Sequence, residues 1–293
     1  MQTMSRRVRS ASVLRCEAGA ISSHSDVLCV EAPLHIFVRL GDKGEPEPLT
    51  ITMRTPGTSS TSPDEDDVDL ALGFLLSEGL LHAATDVLSV GSLKRENSIV
   101  VTLRDDAEFE RVRFARHFLS TSACGVCGKT SLEALAAEPR EPLRTRETQV
   151  FLRTLHRLPT TLRKAQPTFS TTGGLHAAAL FDGTGNLLAV REDVGRHNAL
   201  DKLIGSRFRL GEIALHERVL LVSGRASFEL LQKARMACIA VFASIGAPSS
   251  LALDLARRDG MTLCGFLRDG SVNVYCGAER LCSDDGKPLT PEN

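Results

Sequence analysis

Apolar and polar positions follow two different rhythms along this chain. Between residues 27 and 53 they alternate around Pro33 and the turn Gly41-Asp42-Lys43-Gly44, which predicts short strands joined by a hairpin. Val68, Leu70, Leu72, Leu75, Leu76 and Leu80 then recur at helical spacing. The polar, acidic stretch 58–67 ends in Asp64-Glu65-Asp66-Asp67; acids just ahead of a helix cap it and complement its dipole, and Asp67 is the predicted cap. Short strand-like pieces follow at 87–90 and 98–103.

The second half changes rhythm. Residues 130–137 read as a helix, and 140–164 as a charged connector whose second half, 150–162, has helical spacing and bridges two domains. After Gln166-Pro167, short apolar strands at 177–181, 187–191, 218–222, 239–243 and 262–267 alternate with helices near 196–204, 226–237 and 250–257, and a hairpin through Asp269-Gly270 follows. Helices between short apolar strands imply parallel pairing in an α/β fold, a three-layer α/β/α sandwich with an antiparallel hairpin at one or both edges. The predicted organisation is a flexible basic tail at 1–26, a smaller α+β N-terminal domain at 27–115, a linking segment at 116–165, the α/β domain at 166–282 and a second flexible tail at 283–293.

Composition narrows the function classes. With 35 Lys+Arg against 36 Asp+Glu in 293 residues, there is no global field to attract nucleic acid or an anionic membrane, so any anion site must be local. No Trp and one Tyr leave little for a base-stacking surface. No apolar run reaches the roughly 18–20 residues of a membrane span, and the Arg-rich start lacks the apolar core of a secretory signal. The expectation is a cytoplasmic protein whose eight cysteines are thiols and not a disulfide framework.

Four segments carry candidate chemistry. In Ser122-Ala123-Cys124-Gly125-Val126-Cys127-Gly128-Lys129 a C-x-x-C pair sits among small residues, and Thr130-Ser131-Leu132-Glu133 fits a capping box just beyond it. A helix N-terminus and Lys129 both favour thiolate over thiol, and a thiolate can attack a sulfane sulfur and carry it as a persulfide. A structural zinc site, a thioredoxin-type redox pair and two idle surface cysteines are the competing readings; zinc lacks a visible second ligand pair, and the redox pair would belong early in a βαβ unit. Thr172-Gly173-Gly174-Leu175-His176-Ala177-Ala178 has the spacing of the H-x-E that opens a zinc deaminase site, but Ala178 stands where the glutamate belongs, which argues against deaminase chemistry. His176 is either a ligand contact or a structural histidine. Glu192-Asp193-Val194-Gly195-Arg196-His197-Asn198 ends a strand and starts a helix, with Asp193 as its cap and Arg196, His197 and Lys202 around an N-terminus suited to phosphate. Ser223-Gly224-Arg225 repeats the arrangement after the next strand; loops at strand C-termini of an open sheet line one crevice, and guanidinium groups grip phosphate through two hydrogen bonds.

Together with Met53-Arg54-Thr55-Pro56-Gly57 and Leu72-Gly73-Phe74-Leu75-Leu76-Ser77-Glu78-Gly79, these motifs resemble, in one order, the FdhD family of formate dehydrogenase accessory sulfurtransferases over residues 27–280. The resemblance implies a cytidine-deaminase-like α/β domain without deaminase chemistry, and a homodimer. It implies transfer of sulfur from a cysteine desulfurase to the molybdenum of a bis(molybdopterin guanine dinucleotide) cofactor serving formate dehydrogenase. Carried over by motif, Cys124 bears the persulfide and Cys127 supports its relay. The stretch Phe266, Leu267, Arg268, Asp269, Gly270 and Ser271 matches the one expected to contact the guanine dinucleotide, with Gly195, Arg196, His197, Ser223, Gly224 and Arg225 holding its phosphates. No resident metal site is expected. The rival functions are a non-enzymatic molybdenum-cofactor chaperone and a C-x-x-C thiol–disulfide oxidoreductase.

Overall fold

The first two strands of the computed structural model, β1 (Val8–Glu17) and β2 (Ala20–Cys29), pair only with each other, in a register running from Val8 opposite Cys29 to Glu17 opposite Ala20. The structure describes residues 6–58, 64–93, 96–107, 143 and 149–289. The basic stretch expected to be a flexible tail at 1–26 is therefore a hairpin from residue 8 onward. Its turn places Ala18 at φ 47° and Gly19 at φ 85°, the two positive values that a tight two-residue hairpin turn needs. Most of both its faces are exposed, so no apolar stripe betrays it in the sequence. Its base is tied down: Val30 N–H donates to Arg7 O at 2.8 Å, and Arg7 Nη2 to Glu192 O at 2.9 Å.

β3 (Ala32–Leu40) and β4 (Glu47–Arg54) form the predicted hairpin, followed by α1 (Glu65–Ser77), β5 (Val87–Gly91) and β6 (Ser98–Leu103). The four strands make one mixed sheet in the order β4-β3-β6-β5, with β3 and β6 parallel. The helix cap is Asp64, three residues earlier than expected; its carboxylate accepts from Asp66 N–H at 2.9 Å. Asp67 lies inside the first turn and is occupied differently. It grips the fully buried Arg54 through two bonds, at 2.7 and 2.9 Å, which neutralises a guanidinium that could not otherwise leave water.

The C-terminal half runs β7 (Val150–Phe151), α2 (Leu152–Lys164), α3 (Pro167–Thr172), β8 (His176–Phe181), β9 (Leu187–Asp193), α4 (Arg196–Arg209), β10 (Val219–Val222), α5 (Phe228–Met236), β11 (Val241–Ser244), α6 (Ser250–Arg258), β12 (Thr262–Arg268), β13 (Ser271–Cys276) and β14 (Leu281–Cys282). Six of these strands form a sheet in the order β13-β12-β11-β10-β8-β9. Only the pairs β10–β11 and β11–β12 are parallel; β8 lies between β9 and β10 and is antiparallel to both. The edge hairpins are as expected, and the parallel region is shorter than the alternation of elements suggests. The segment 283–289, expected as a tail, folds back so that Leu289 N–H donates to Leu281 O at 2.8 Å.

Both faces of the six-stranded sheet are covered, which is why its strands read as unbroken apolar runs. Successive side chains alternate between two cores. Ala178, Leu180, Leu220, Val222 and Phe242 join one that also takes in α1, α4, α5, α6 and the N-terminal sheet through Leu34, Ile36 and Val101. Ala177, Ala179, Val219, Leu221 and Val241 face the other, closed by Leu155, Leu158 and Leu162 of α2. The expected boundary near residue 115 thus does not divide the larger core. Nor is α2 a bridge between domains: its leucine stripe makes it the third layer of the sandwich.

α1 and α4 cross with their backbones in contact. A Cβ on Gly73 would lie 1.8 Å from Asp201 O, and one on Gly205 1.8 Å from Asp69 O. Buried charges flank this crossing. Asp69 receives Arg191 Nη2 at 2.8 Å and Arg209 Nε at 3.0 Å; burial raises its carboxyl above the usual range despite both arginines. Burial alone would lower Lys233, but the charges of Asp201, at 3.0 Å, and Glu78 outweigh it and hold the amine up at about 12.

Candidate functional site

One edge of the six-stranded sheet collects the chain's separate motifs. The start of β8, the end of β9, the ends of β10, β11 and β12 and the start of β13 all lie there, because β8 and β13 run against the parallel strands. Main-chain bonds extend past the strand ends and lock the loops side by side. Ser223 N–H donates to Ala177 O at 2.9 Å, Ile245 N–H to Val222 O at 3.0 Å, Gly246 N–H to Gly224 O at 3.0 Å and Phe266 N–H to Gly246 O at 3.1 Å. Ser223 Oγ accepts from Ala177 N–H at 2.9 Å, so its hydroxyl is a fastening between β8 and the β10 loop. Gly246 has no room for a side chain, since a Cβ would stand 2.9 Å from Arg225 Cα and Gly224 O.

A cavity of about 510 Å³ opens at this edge between the sheet and α2, lined by Leu162, Arg163, Gln166, Phe169, His176 and Ser223 among others. Its apolar wall with a few polar groups has the character of a small-molecule site. Arg163 lies over the Phe169 ring, 4.3 Å from its centre, presenting a flat cationic surface. Gln166, Phe169 and Arg163 are absent from the sequence-derived set of candidates. The sequence shows α2 as a basic amphipathic helix, but only the fold brings its C-terminal end against the sheet edge.

The candidates divide by what their side chains are free to do. Gly195 caps α4, its N–H held by Asp193 Oδ1 at 2.8 Å. Arg196 opens α4 beside Gly224, Arg225 is exposed, and neither has a carboxylate partner among the described residues. His197 Nε2 stands 2.8 Å from Glu229 Oε2, a contact between the first turns of α4 and α5. Lys202, expected around the phosphate-binding N-terminus, is fully buried with Nζ 2.7 Å from Asp193 Oδ2 and 2.7 Å from Thr55 O, and does not reach the crevice. Asp193 is not the cap; its other bonds come from Thr55 N–H at 3.0 Å and Asn198 Nδ2 at 3.3 Å. These bonds fasten the Met53–Thr55 stretch to the start of α4.

The β12–β13 segment is irregular where the candidates lie. A register shift falls between Gly265 and Arg268, and Phe266 takes φ 51°, a left-handed value costly for a residue with a side chain. The result aims an aromatic ring outward, 43% exposed. Leu267 points the other way, fully buried in the α2-side core, and so offers no side chain to a ligand. Arg268 donates to Ile245 O at 2.6 Å and Leu267 O at 2.8 Å, which ties the bulge to the neighbouring loop. Asp269, Gly270 and Ser271 form the exposed turn. Glycine at 266 relieves about 1–2 kcal/mol of left-handed strain and costs about 0.5–1 kcal/mol in backbone entropy. Phe266→Gly is therefore expected to change the unfolding free energy in urea by about 1.5 kcal/mol or less, against about 3–5 kcal/mol for removing a core phenylalanine. A loss of that larger size would make the ring structural.

Cys124 and Cys127 lie outside the described residues. Of the other thiols, Cys264 is pushed up to about 12 by burial and Cys276 is raised by the same cause, so neither supplies thiolate near neutrality. Among the described residues, no helix is long and apolar enough to cross a membrane.

The FdhD/NarQ family model matches residues 44–282, a span that takes in the C-x-x-C pair and every loop of this sheet edge. The chain belongs to the FdhD/NarQ family. Sulfur carrier protein FdhD of Nocardia farcinica is 48% identical over 278 residues, covering 92% of this chain and 94% of its own. The protein of the same name in Streptomyces coelicolor is 46% identical over 287 residues, covering 95% and 97%. A crystal structure assigned as a formate dehydrogenase accessory protein, from Desulfotalea psychrophila, matches with a TM-score of 0.70 over 94% of this chain and 99% of its own. At 22% identity that likeness is one of fold. The hairpin β1/β2 and the whole of β3 precede the span that the FdhD/NarQ model matches.

Proposed function

We propose that the protein is a sulfurtransferase that accepts sulfur from a cysteine desulfurase as a persulfide on Cys124 and passes it to the molybdenum of bis(molybdopterin guanine dinucleotide), for use by formate dehydrogenase. The observation that carries this reading is the convergence of Arg196, Gly224, Arg225 and Phe266 on one sheet edge beside a cavity, in a chain whose close relatives are named sulfur carriers. Guanidinium groups with no carboxylate partner among the described residues, beside small-residue backbone, suit a phosphate, and an exposed ring suits a heterocycle. The sandwich is of the cytidine-deaminase-like kind, with Ala178 in place of a catalytic glutamate. The working protein is a cytoplasmic homodimer.

In the first step the Cys124 thiolate attacks the outer sulfur of the desulfurase persulfide, forming a new S–S bond and releasing the desulfurase thiolate. In the second, the Cys127 thiolate attacks the Cys124 sulfur, and hydrosulfide leaves as a disulfide forms between the two cysteines. Cys127 supplies the electron pair, and the hydrosulfide is the species offered to the bound molybdenum substrate. The arginine loops hold that substrate's phosphates.

The test incubates the purified chain with a cysteine desulfurase and cysteine and maps persulfide by mass spectrometry. Labelling of Cys124 is expected, with a loss of more than about tenfold in Cys124→Ala, since the nucleophile is gone. Undiminished labelling of that variant overturns the assignment.

A further inference from the structure

We propose that His176 is an oxyanion contact of the cavity that takes up one proton from solvent as a phosphate-bearing ligand binds beside it. This rests on the reading that the crevice holds a polyanionic ligand, and adds a contact and a proton linkage to it.

His176 opens β8 and lines the cavity next to Gly174 and Ser223. Its ring stands against Gly224: a Cβ there would lie 3.6 Å from His176 Nδ1 and 3.9 Å from Arg196 Cδ, so the imidazole and the Arg196 side chain meet across that glycine. The charged and titratable groups around it are Arg196 and His197 from α4, Asp193 from β9 and, lining the same cavity, Arg163 from α2. The carboxylate among these is spent. Asp193 is committed to Lys202, Thr55, Gly195 and Asn198, and Glu229 Oε2 stands against His197. No carboxylate among the described residues is left to hold an imidazolium at position 176.

Burial, then the charge of Arg196 and the proximity of His197, push His176 below its ordinary 6.5. It is therefore neutral at neutral pH without a ligand. An oxyanion in the cavity supplies the missing negative charge. A ring nitrogen binds a proton from solvent, and the resulting N–H donates to the anionic oxygen; no other bond forms or breaks. Linkage then requires that anion affinity rise as pH falls through the interval between the free and the ligand-bound pKa, by up to about tenfold per pH unit.

The experiment uses the full chain and its His176→Gln variant with two probes, guanosine diphosphate and inorganic sulfate, the second of which does not titrate near neutrality. Calorimetry in two buffers of different ionisation enthalpy counts the protons taken up, and thermal melts check that the variant folds. In the wild type, proton uptake at pH 7 above that of the variant is expected, with sulfate affinity rising several-fold between about pH 7.5 and 6 and nearly flat in the variant. Should the variant not fold, the His176 ring resonances of the wild type are titrated with and without sulfate, and their midpoint is expected to move upward by about half a pH unit or more. Equal proton uptake by both proteins, or an unmoved midpoint, overturns the proposal while nucleotide binding stands. Linked sulfate binding without any affinity for guanosine diphosphate keeps the proposal and removes the nucleotide reading. If neither anion binds, both fall.

Discussion

Gly205→Ala is expected to destabilise the protein by about 3 kcal/mol or more, although the same exchange in an ordinary helix interior stabilises by about 0.5–1 kcal/mol. The sign inverts because the methyl group has nowhere to go. It would stand 1.8 Å from Asp69 O and 2.7 Å from Gly73 N, both backbone atoms that no rotamer change can move. The helices α1 and α4 must separate, and the bonds that cross between them go with the contact: Arg209 to Asp69 at 3.0 Å, and Ser77 to Asp201 at 2.8 Å. Gly73→Ala meets Asp201 O at 1.8 Å and Gly205 N at 2.8 Å, so it strains the same crossing. Because both glycines serve one contact, the double variant is expected to lose less than the two single losses added together. Gly183→Ala is the control, since its nearest neighbour would be Gln149 O at an ordinary 3.6 Å. Urea denaturation of the four variants decides the matter; a Gly205→Ala protein as stable as the wild type would mean the crossing is not tight.

The second large effect is expected at Lys202→Met, a loss of about 3–5 kcal/mol, the usual cost of breaking a buried ion pair from one side. Lys202 and Asp193 are both fully buried, and their 2.7 Å contact is the charge balance of the junction. Without the amine, the Asp193 carboxylate keeps only neutral donors: Thr55 N–H, Gly195 N–H and Asn198 Nδ2. Thr55 O also loses its donor. The double variant Asp193→Asn/Lys202→Met removes the stranded charge and is expected to recover a large part of the loss, because most of the penalty belongs to the unpaired ion and not to the absent pair. Chemical denaturation of the single and double variants measures this. A double variant as unstable as Lys202→Met alone would show that packing, and not charge, sets the cost. Since the same pair fastens Thr55 to the start of α4, guanosine diphosphate affinity is expected to fall with stability in the single variant.

Sequence periodicity identified the strands of the C-terminal sheet and α4, α5 and α6 because each buries a continuous apolar face. It failed at β1/β2, where neither face is buried and strand pairing rests on the backbone and a left-handed turn. It misplaced the roles of Asp67, Asp193 and Lys202. An acid beside a helix start reads as a cap, and a lysine in a helix's second turn reads as a phosphate contact, whether or not a distant partner claims it. Here Arg54, Thr55 and Asn198 make the claim, from positions far away in the chain or on a neighbouring element. The cavity wall contributed by Arg163, Gln166 and Phe169 was illegible for the same reason: which end of α2 abuts the sheet edge is a tertiary fact.

What the amino-acid order determined alone was the local chemistry: a paired thiol motif among glycines, arginine-bearing loops after strands, and the family whose motifs occur in this order. Those features are short-range, carried by neighbouring residues whatever the rest of the chain does. Only the tertiary structure decided which charges are free for a ligand and which are consumed as fastenings. Burial and a partner's distance set that difference, and neither is encoded at any single position.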